Sequence, residues 1–551
     1  MNSDKDEYDT SEYQFERKVF LKNTFYSYLN NFATYFLSIV TSFFVARLIS
    51  PKLWGFILLA TSILMIISII SSFLPPGLEI ASVYYISKYK VANERKNMKL
   101  VVKYSILVKI VFLIPIYVLS LCIFFFFAQF FQLTLEDHIN LLFILSPLII
   151  FTQLGPVLNG ILQGFNMFKT IFWLSILMYI FHTLILSLIY FFNVDVQVEI
   201  IAITNLIALA IPFLLKCFII FIKYIKIKPS NEIRLEFKDF LKQSFKYGIY
   251  VEIGTLTQNL WLETKIQALG LFQGQEIVLM YHISNNFSTV PRIIILSKNP
   301  TLRVTFSRLD KTNNDEQITK FFNLSFNYSL FLYLMINGLF YFLSDFFLFA
   351  VYIDEYLIYS YILKFMIIAN IFNVLGGQFE ALIHATNKVK YIPILRLVFM
   401  VMNIPFFFVG LIFFGIKGMF IFLLFAYLIH FIIMSLLCFR LYKLKINVKV
   451  VSILYLSFIF SIIVSMLLES FLLRNFRMNL FESLNLKFFE SLPIFTMLIF
   501  IILSITLILL FKVFKYEELK FLEDLFDKKN IFHYIIRRSL KLFERILRLR
   551  K

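Results

Sequence analysis

The chain has few of the residues that build metal, redox or disulfide sites. It contains three cysteines and six histidines in 551 residues. Cys122, Cys217 and Cys438 lie far apart in apolar runs, and no pair of cysteines or histidines has metal-ligand or redox spacing. We expect the cysteines to be small core residues. The sequence therefore predicts neither a metal site nor a bound cofactor.

Charge is also scarce, and acidic residues are scarcer than basic ones. Charged residues make up 16% of the chain and hydrophobic residues 60%, with 34 Asp and Glu against 53 Lys and Arg. The apolar residues form blocks of roughly 20, the length that crosses about 30 Å of hydrocarbon. The basic residues lie between these blocks, as in the cytoplasmic loops of membrane proteins. The composition indicates a polytopic membrane protein and argues against a nucleic-acid partner.

The apolar blocks predict an all-α protein with about fourteen transmembrane helices. The predicted spans are 25–46, 54–74, 102–127, 140–162, 171–192, 200–221, 247–270, 277–296, 321–346, 356–383, 391–413, 415–437, 450–472 and 492–511. The first 20 residues are charged and polar, so the first span is expected to be retained rather than cleaved as a secretory signal.

The loops alternate in charge along the chain. Segments such as "SKYKVANERKNMK" and "RLYKLKINVK" are basic, whereas "AQFFQLTLEDH" and "NVDVQ" contain no Lys or Arg. Basic loops stay on the cytoplasmic side. With an even number of spans, the pattern predicts a multi-pass protein of the cell (plasma or inner) membrane with both termini in the cytoplasm.

Two basic connections divide the spans into groups of six, six and two. This layout predicts two pseudo-symmetric six-helix lobes, as in carriers that work by alternating access, followed by two C-terminal helices. The predicted regions are a cytoplasmic N-terminal tail (1–24), an N-lobe (25–222), a cytoplasmic amphipathic linker (223–246), a C-lobe (247–440), the last two spans (450–511) and a basic amphipathic cytoplasmic tail (512–551). The tail is expected to lie on anionic membrane lipid, or else to dock on the protein's own loops.

The first helix of each predicted lobe carries polar residues at helical spacing. In the first span they are Ser27, Asn31, Thr34, Ser38 and Thr41, and in the seventh they are Glu252, Thr255, Asn259, Glu263 and Gln267. Such stripes face a partner helix or a water-filled cavity rather than lipid. The neutral stripe favours hydrogen bonds between helices. The charged stripe favours a cavity.

Three segments resemble the oligosaccharide flippases of the polysaccharide-transporter family, in the multidrug/oligosaccharidyl-lipid/polysaccharide superfamily. The first is "VARLISPKLWGFILLA", with Arg47, Pro51, Gly55 and Phe56 at the family's positions. The second lies at the end of the seventh span and includes Gly270, Gly274 and Tyr281. The third is "FFGIKGMFIFLLFAYLI", with Gly415, Ile416, Gly418 and an upstream Asn403. The chain departs from the family at Lys265, where an acid is usual, and at Leu279, where Gly is usual.

The resemblance implies a flippase that moves a polyprenyl-(di)phosphate-linked oligosaccharide between leaflets for polysaccharide or glycoconjugate biosynthesis. The implied partners are this lipid-linked oligosaccharide, membrane lipid and a coupling ion. The expected substrate-binding residues are Arg47, Lys265, Asn259, Gln258, Arg292 and Arg396. Glu252 and Glu263 are expected to take up the ion or to act as counter-ions. Each cation has a structural alternative, either extension to the interface or pairing with a neighbouring carboxylate.

Three other functions remain as alternatives. An ion-coupled multidrug exporter of the same superfamily is the strongest, but such exporters commonly have an acid in the first span, which this chain lacks. An enzyme is disfavoured, because the loop "RLISPKLW" has no carboxylate for metal-dependent glycosyl transfer and no phosphate-binding glycine loop followed by Lys and Ser or Thr is present. A membrane scaffold without transport is disfavoured only by the polar stripes.

Overall fold

The structure is a computed structural model of the full chain. It describes residues 25–26, 29–72, 75–130, 135–194, 196–227, 235–296, 315–352, 354–372, 376–385, 391–444, 446–473 and 493–511. The predicted N-terminal tail (1–24) and C-terminal tail (512–551) lie outside these residues.

The described residues are almost entirely helical. The helices are α1 (Leu29–Leu48), α2 (Pro51–Ser72), α3 (Leu78–Val91), α4 (Arg95–Phe130), α5 (Leu135–Leu145), α6 (Leu148–Gly164), α7 (Phe168–Phe191), α8 (Val198–Lys226), α9 (Phe237–Gln273), α10 (Gln275–Leu296), α11 (Asp315–Val351), α12 (Ser360–Ala369), α13 (Gly376–Ala385), α14 (Tyr391–Tyr442), α15 (Val448–Leu468) and α16 (Ile494–Leu510). A 3-10 helix (Asp354–Tyr359) precedes α12, and a π-helix (Glu469–Leu473) follows α15.

The prediction of an all-helical, multi-pass membrane fold is confirmed, since the described part of the chain contains no strand. Nine helices in that part are long and apolar enough to cross a membrane, and a shorter apolar helix covers Ile494–Ile508. The count of fourteen is not reproduced. The predicted tenth span is divided among the 3-10 helix, α12 and α13, and α9, the predicted seventh span, is not among the nine.

The longest helix contains the turn that the sequence places between its eleventh and twelfth spans. Gly415 in α14 has φ 66° and ψ −160°, which no other residue type adopts easily. The apolar runs before and after it are therefore two helices that meet at this glycine, at the boundary the sequence predicts.

Two other glycines from the segments that resemble the flippases, Gly55 and Gly270, permit close packing between helices. A Cβ on Gly55 of α2 would overlap the carbonyl oxygen of Gln275, and one on Gly270 of α9 would lie 2.5 Å from the Leu59 side chain. Any larger residue would separate α2 from α9 and from the start of α10. These positions therefore serve packing rather than substrate binding.

A second close crossing, between α3 and α6, was not anticipated. The segment "GILQG" gives α6 a glycine at each end of a five-residue stretch, and both glycines face α3. A Cβ on Gly160 would lie 2.6 Å from the carbonyl oxygen of Glu79, and one on Gly164 would lie 2.7 Å from Cβ of Ile86. Small residues four apart let membrane helices approach closely. This crossing places Glu79 against α6.

The described residues form two compact units. Unit 1 lies within Met1–Ile293, Phe347–Ala369 and Lys388–Tyr427, and unit 2 lies within Ile294–Phe346, Asn370–Asn387 and Leu428–Lys551. Helix α9 belongs to unit 1 together with α2 to α8. The lobe boundary predicted at 223–246 stays a prediction.

In unit 2, the last two helices pack on α11. The Phe500 ring of α16 contacts Gly338 of α11, and its centroid lies 5.7 Å from Phe342 and 6.1 Å from Phe458 of α15. Ser461 and Ser465 of α15 are fully buried. The two C-terminal helices are thus part of the packed core of this unit.

Candidate functional site

The polar face of α9 meets two different surroundings along its length. Glu252, Thr255 and Asn259 line a cavity. Further along the same face, the Ser62 hydroxyl donates to the backbone carbonyl of Glu263 at 3.1 Å, and the Gln267 amide donates to the carbonyl of Leu59 at 2.9 Å. The first half of the predicted stripe therefore faces open space, and the second half packs against α2.

The opposite face of α9 carries Lys265 and packs against α14, which carries Arg396. Cδ of Arg396 lies 3.3 Å from the position of a Cβ on Gly254. The Trp261 ring meets the Phe407 ring at a centroid distance of 5.3 Å. Lys265 is 3% exposed. Its Nζ lies 5.5 Å from the Trp261 ring centroid and 5.8 Å from that of Tyr281. Glu252 and Lys265 thus lie on opposite faces of α9.

The cavity beside Glu252, here called the charged cavity, has a volume of about 310 Å³ and lies between α2, α3, α4, α6 and α9. The Ser72 hydroxyl donates to Oε1 of Glu252 at 2.9 Å. The ionisable side chains that line it are Glu79, Lys109 and Glu252. Both Glu79 and Lys109 are near enough to Glu252 to interact with its charge.

The wall of the charged cavity on α6 is polar. Gln153 is 3% exposed, and its amide nitrogen donates to the hydroxyl of Ser68 at 2.7 Å and also to the carbonyl of that residue. The Ser68 hydroxyl shares a 2.8 Å hydrogen bond with Thr152. These bonds hold the Gln153 amide through its nitrogen. The amide oxygen, Oε1, has no hydrogen-bond partner among the described residues.

A second cavity, here called the polar cavity, has a volume of about 540 Å³ and contains no charged residue among the described residues that line it. Its walls come from α1, α2, α7, α8 and α10. The polar and aromatic residues are Thr34, Tyr35, Ser38, Thr41, Ser42, Trp54, Thr61, Tyr179, His182, Asn205, His282 and Asn286. Hydroxyl, amide, imidazole and aromatic groups thus surround one neutral space.

Hydrogen bonds fix several of these side chains. Thr41 and Thr183 join α1 to α7 through a 2.9 Å bond between their hydroxyls. Nδ2 of Asn286 lies 3.0 Å from Nε2 of His282, so an amide donor there places the imidazole proton on Nδ1. Nε2 of His182 is buried and has no hydrogen-bond partner among the described residues. The neutral stripe of the first span therefore has two roles, since it forms a hydrogen bond to α7 and lines a cavity.

Two of the remaining predicted site residues, Arg47 and Gln258, line neither cavity. Nη1 of Arg47 donates to the carbonyls of Phe43 at 3.0 Å and Val351 at 2.7 Å, and its guanidinium lies 3.5 Å from the centroid of the Phe43 ring. This geometry favours the structural alternative for Arg47. Gln258 is half-buried on α9 and lines neither cavity. The side chain of Arg292 lies outside the described residues.

The structure adds residues that the sequence reasoning did not select. Glu79 follows "PPG" and lies outside the predicted spans, but the α3–α6 crossing brings it into the bundle. His182 and His282 are 100 positions apart, so their shared cavity has no local sequence signal. The GxxxG spacing of Gly160 and Gly164 was the one signal that could have placed Glu79 inside.

The chain matches a known protein family over more than half its length. The family model described as "Polysaccharide biosynthesis protein" matches residues 20–309. No curated protein matches the chain.

Solved structures with a similar fold are transporters. An inward-facing multidrug resistance MATE family transporter of the MOP superfamily aligns with a TM-score of 0.62 and 14% identity, covering 73% of this chain and 93% of the other. An outward-facing MATE family transporter aligns with a TM-score of 0.56 and 14% identity, covering 78% and 96%. A mutant of the Vibrio cholerae MATE transporter VcmN aligns with a TM-score of 0.54 and 16% identity, covering 76% and 95%. At these identities the likeness establishes the fold.

Proposed function

Because the chain belongs to the polysaccharide biosynthesis protein family, we propose that it is a flippase for a polyprenyl-(di)phosphate-linked oligosaccharide. It moves the sugar headgroup between leaflets by alternating access, with the hydrocarbon tail left in the membrane. The family and the transporter fold agree with this function, and both point away from an enzyme.

The neutral polar cavity carries the proposal. A sugar presents hydroxyl groups and apolar ring faces, which are recognised by hydrogen-bonding groups and aromatic surfaces. The polar cavity offers both, with Asn205, Asn286 and His182 for hydrogen bonds and Tyr35 and Tyr179 for ring contacts. Its volume lies within the range of about 300–1,000 Å³ usual for small-molecule sites. A cationic drug would be better served by a carboxylate, which the described lining lacks.

The phosphate requires cations elsewhere in the protein, because an unpaired ion is costly to bury. Lys265, on the α14-facing side of α9, and Arg396, on α14 beside Gly254 of α9, are the proposed phosphate contacts. Asn259, the exposed residue of the charged cavity, is a further proposed substrate contact. Arg47, Gln258 and Arg292 remain proposed contacts of lower rank.

A transport assay in proteoliposomes tests the proposal. The full-length protein should flip a fluorescent polyprenyl-diphosphate-linked N-acetylhexosamine and should not transport the cationic dye ethidium. Asn205→Leu should slow flipping by about three- to tenfold, because one hydrogen bond contributes roughly 0.5–1.5 kcal/mol. Ser187→Ala is the matched control, since Ser187 lies on α7 outside the cavity and bonds only to its own helix at Leu184.

The multidrug exporter is the second candidate, and the carboxylates Glu79 and Glu252 in a cavity favour it. Ethidium transport without flipping of the sugar lipid would establish the exporter and reject the flippase. If the flippase is correct, a null mutant should accumulate a lipid-linked sugar, and mass spectrometry of its lipid extract would identify the natural substrate.

A further inference from the structure

The charged cavity carries an unbalanced charge. With both carboxylates ionised and Lys109 protonated, its lining has two negative charges and one positive charge. Lys109 is 4% exposed, and Glu252 is half-buried. Ionised side chains within a membrane protein are costly unless their charge is matched. One further positive charge would make the cavity neutral.

A buried amide oxygen in the wall of this cavity also lacks a partner among the described residues. Oε1 of Gln153 is buried without a hydrogen-bond partner among the described residues, although both ends of the amide lie in a polar wall. A buried acceptor left unsatisfied costs roughly 1–3 kcal/mol. A cation or an added proton on a neighbouring carboxylate would satisfy this oxygen, whereas an anion would not.

We propose that the charged cavity binds one monovalent cation, taken up as Na⁺ or as a proton, between Glu79 of α3 and Glu252 of α9. The oxygen groups available to it are those two carboxylates, the Gln153 amide oxygen, and the hydroxyls of Ser68, Ser72 and Thr152. Oxygen groups of this kind are the ligands that hard cations prefer.

Lys109 limits the cavity to a single added charge. Of the helices around the cavity, α2 and α6 contribute no ionisable lining residue, α3 contributes Glu79, α4 contributes Lys109 and α9 contributes Glu252. Lys109 offsets one carboxylate while it is protonated, so the other defines the site. Removing the ammonium should therefore strengthen cation binding or admit a second cation.

The position of the site suggests what the cation does. The cation is shared by a carboxylate on α9 and one on α3, so its presence favours contact between these helices and its loss leaves a net negative charge between them. We expect cation release to loosen α9 from α3. This consequence rests on the proposed flippase function, because it makes the cation the coupling ion for movement of the substrate.

Cation binding can be measured without any substrate. Full-length protein purified in detergent is titrated with ²²NaCl in a scintillation proximity assay at constant ionic strength with choline chloride. In parallel, Tm is recorded without Na⁺ across about pH 5–8, where a group with a shifted proton affinity changes stability. Saturable ²²Na⁺ binding identifies the cation as Na⁺. A pH-dependent Tm without ²²Na⁺ binding identifies it as a proton.

Three changes and one control locate the site. Glu252→Gln and Glu79→Gln should each remove the cation response, with at least a tenfold loss of ²²Na⁺ affinity or loss of the pH dependence of Tm. Lys109→Met should increase the affinity. Glu199→Gln, the same change on a carboxylate of α8 outside both cavities, should behave as the unchanged protein.

Either of two results would overturn the proposal. One is the absence of both ²²Na⁺ binding and a pH-dependent Tm in the unchanged protein. The other is a cation response that survives in both glutamine variants. A protein that binds the cation but does not flip the sugar lipid would keep the site and reject the proposed function instead, so the two failures are distinguishable.

Discussion

At the scale of single residues, the charges of α9 are explained by the face on which each one lies. Glu252 faces a cavity and accepts a hydrogen bond from Ser72. Lys265 lies on the opposite face, against the rings of Trp261 and Tyr281. Glu252 and Lys265 therefore do not face each other, whereas Lys265 is near enough to Glu263 to interact with its charge. A charged helix in an apolar chain is consistent with two separate tasks, one for cations and one for anions.

Lys265 is expected to contact the anionic headgroup. Replacing Lys265 with Gln should reduce flipping of the fluorescent sugar lipid by at least tenfold, because loss of a buried charge pair costs roughly 2–5 kcal/mol. Replacing it with Arg should retain part of the activity, since the charge is kept. The rates are compared at equal protein density in proteoliposomes.

The structural alternative for Lys265 predicts a different pattern. If the ammonium only stabilises the packing of Trp261 and Tyr281, Lys265→Gln should lower Tm and leave the apparent KM for the sugar lipid unchanged. Normal flipping by Lys265→Gln would reject a phosphate contact at this residue.

At the scale of helices, hydrophobic runs and glycine positions predicted more of the helix and turn positions than charge did. The apolar runs located α2, α7 and α8 within a few residues, and the Gly415 turn lies where its motif predicts. Each of these features is local, since it depends on residues within one or two helical turns. The expectation that all three cysteines are core residues is wrong for Cys122, which is exposed.

Cavities could be predicted only in part, because they depend on which helices cross. The polar stripe identified Glu252 and Asn259 as cavity residues. Leu256 is apolar and does not belong to the polar stripe, yet it lines the charged cavity as well. Glu79 and Gln153 reach the same space from helices whose packing is set by distant glycines. Apart from the spacing of Gly160 and Gly164, which brings α3 against α6, no spacing along the chain encodes that convergence.

The α3–α6 crossing should depend on Gly160. In Gly160→Ala, the added methyl would meet the backbone oxygen of Glu79, and overpacking of this kind costs roughly 1–3 kcal/mol. We expect a lower Tm for the purified full-length protein in detergent and weaker cation binding in the charged cavity.

Gly155 provides a control on the same helix. A Cβ at Gly155 meets nothing within 4 Å, so Gly155→Ala should leave Tm unchanged or raise it slightly through helix propensity. Equal Tm values for the two alanine variants would show that the close approach seen at Gly160 is not needed for stability.

At the scale of the whole molecule, unit 1 holds α9 and most of α10 together with the helices of the predicted N-lobe. The tight approaches at Gly55 and Gly270 join α2 to α9 and to the start of α10 within this unit. The division of the chain into two lobes after the sixth span stays a prediction. Both cavities lie within unit 1, so the proposed sugar and cation sites share one packed body.

The alternation of loop charge predicts both termini in the cytoplasm. Basic loops are retained on the cytoplasmic side, and most Lys and Arg residues of the chain fall in loops assigned to that side. Green fluorescent protein fused after Lys551 should therefore fluoresce in a bacterial host, and alkaline phosphatase fused there should be inactive. The reverse pattern is expected for fusions at Asn193, in the turn between α7 and α8 that follows an odd number of predicted spans.

The two fusion sites separate an error in span number from an error in orientation. Active phosphatase at Lys551 with active phosphatase at Asn193 would show that the number of spans between them is even, which contradicts the fourteen-span prediction. Active phosphatase at Lys551 with fluorescence at Asn193 would show that the whole protein is inverted. The residues of the polar cavity on α1, α2 and α8 lie toward the predicted outer ends of their helices. Inversion would therefore place this cavity at the inner side of the membrane. The sugar would then be released on the side where it is expected to be taken up.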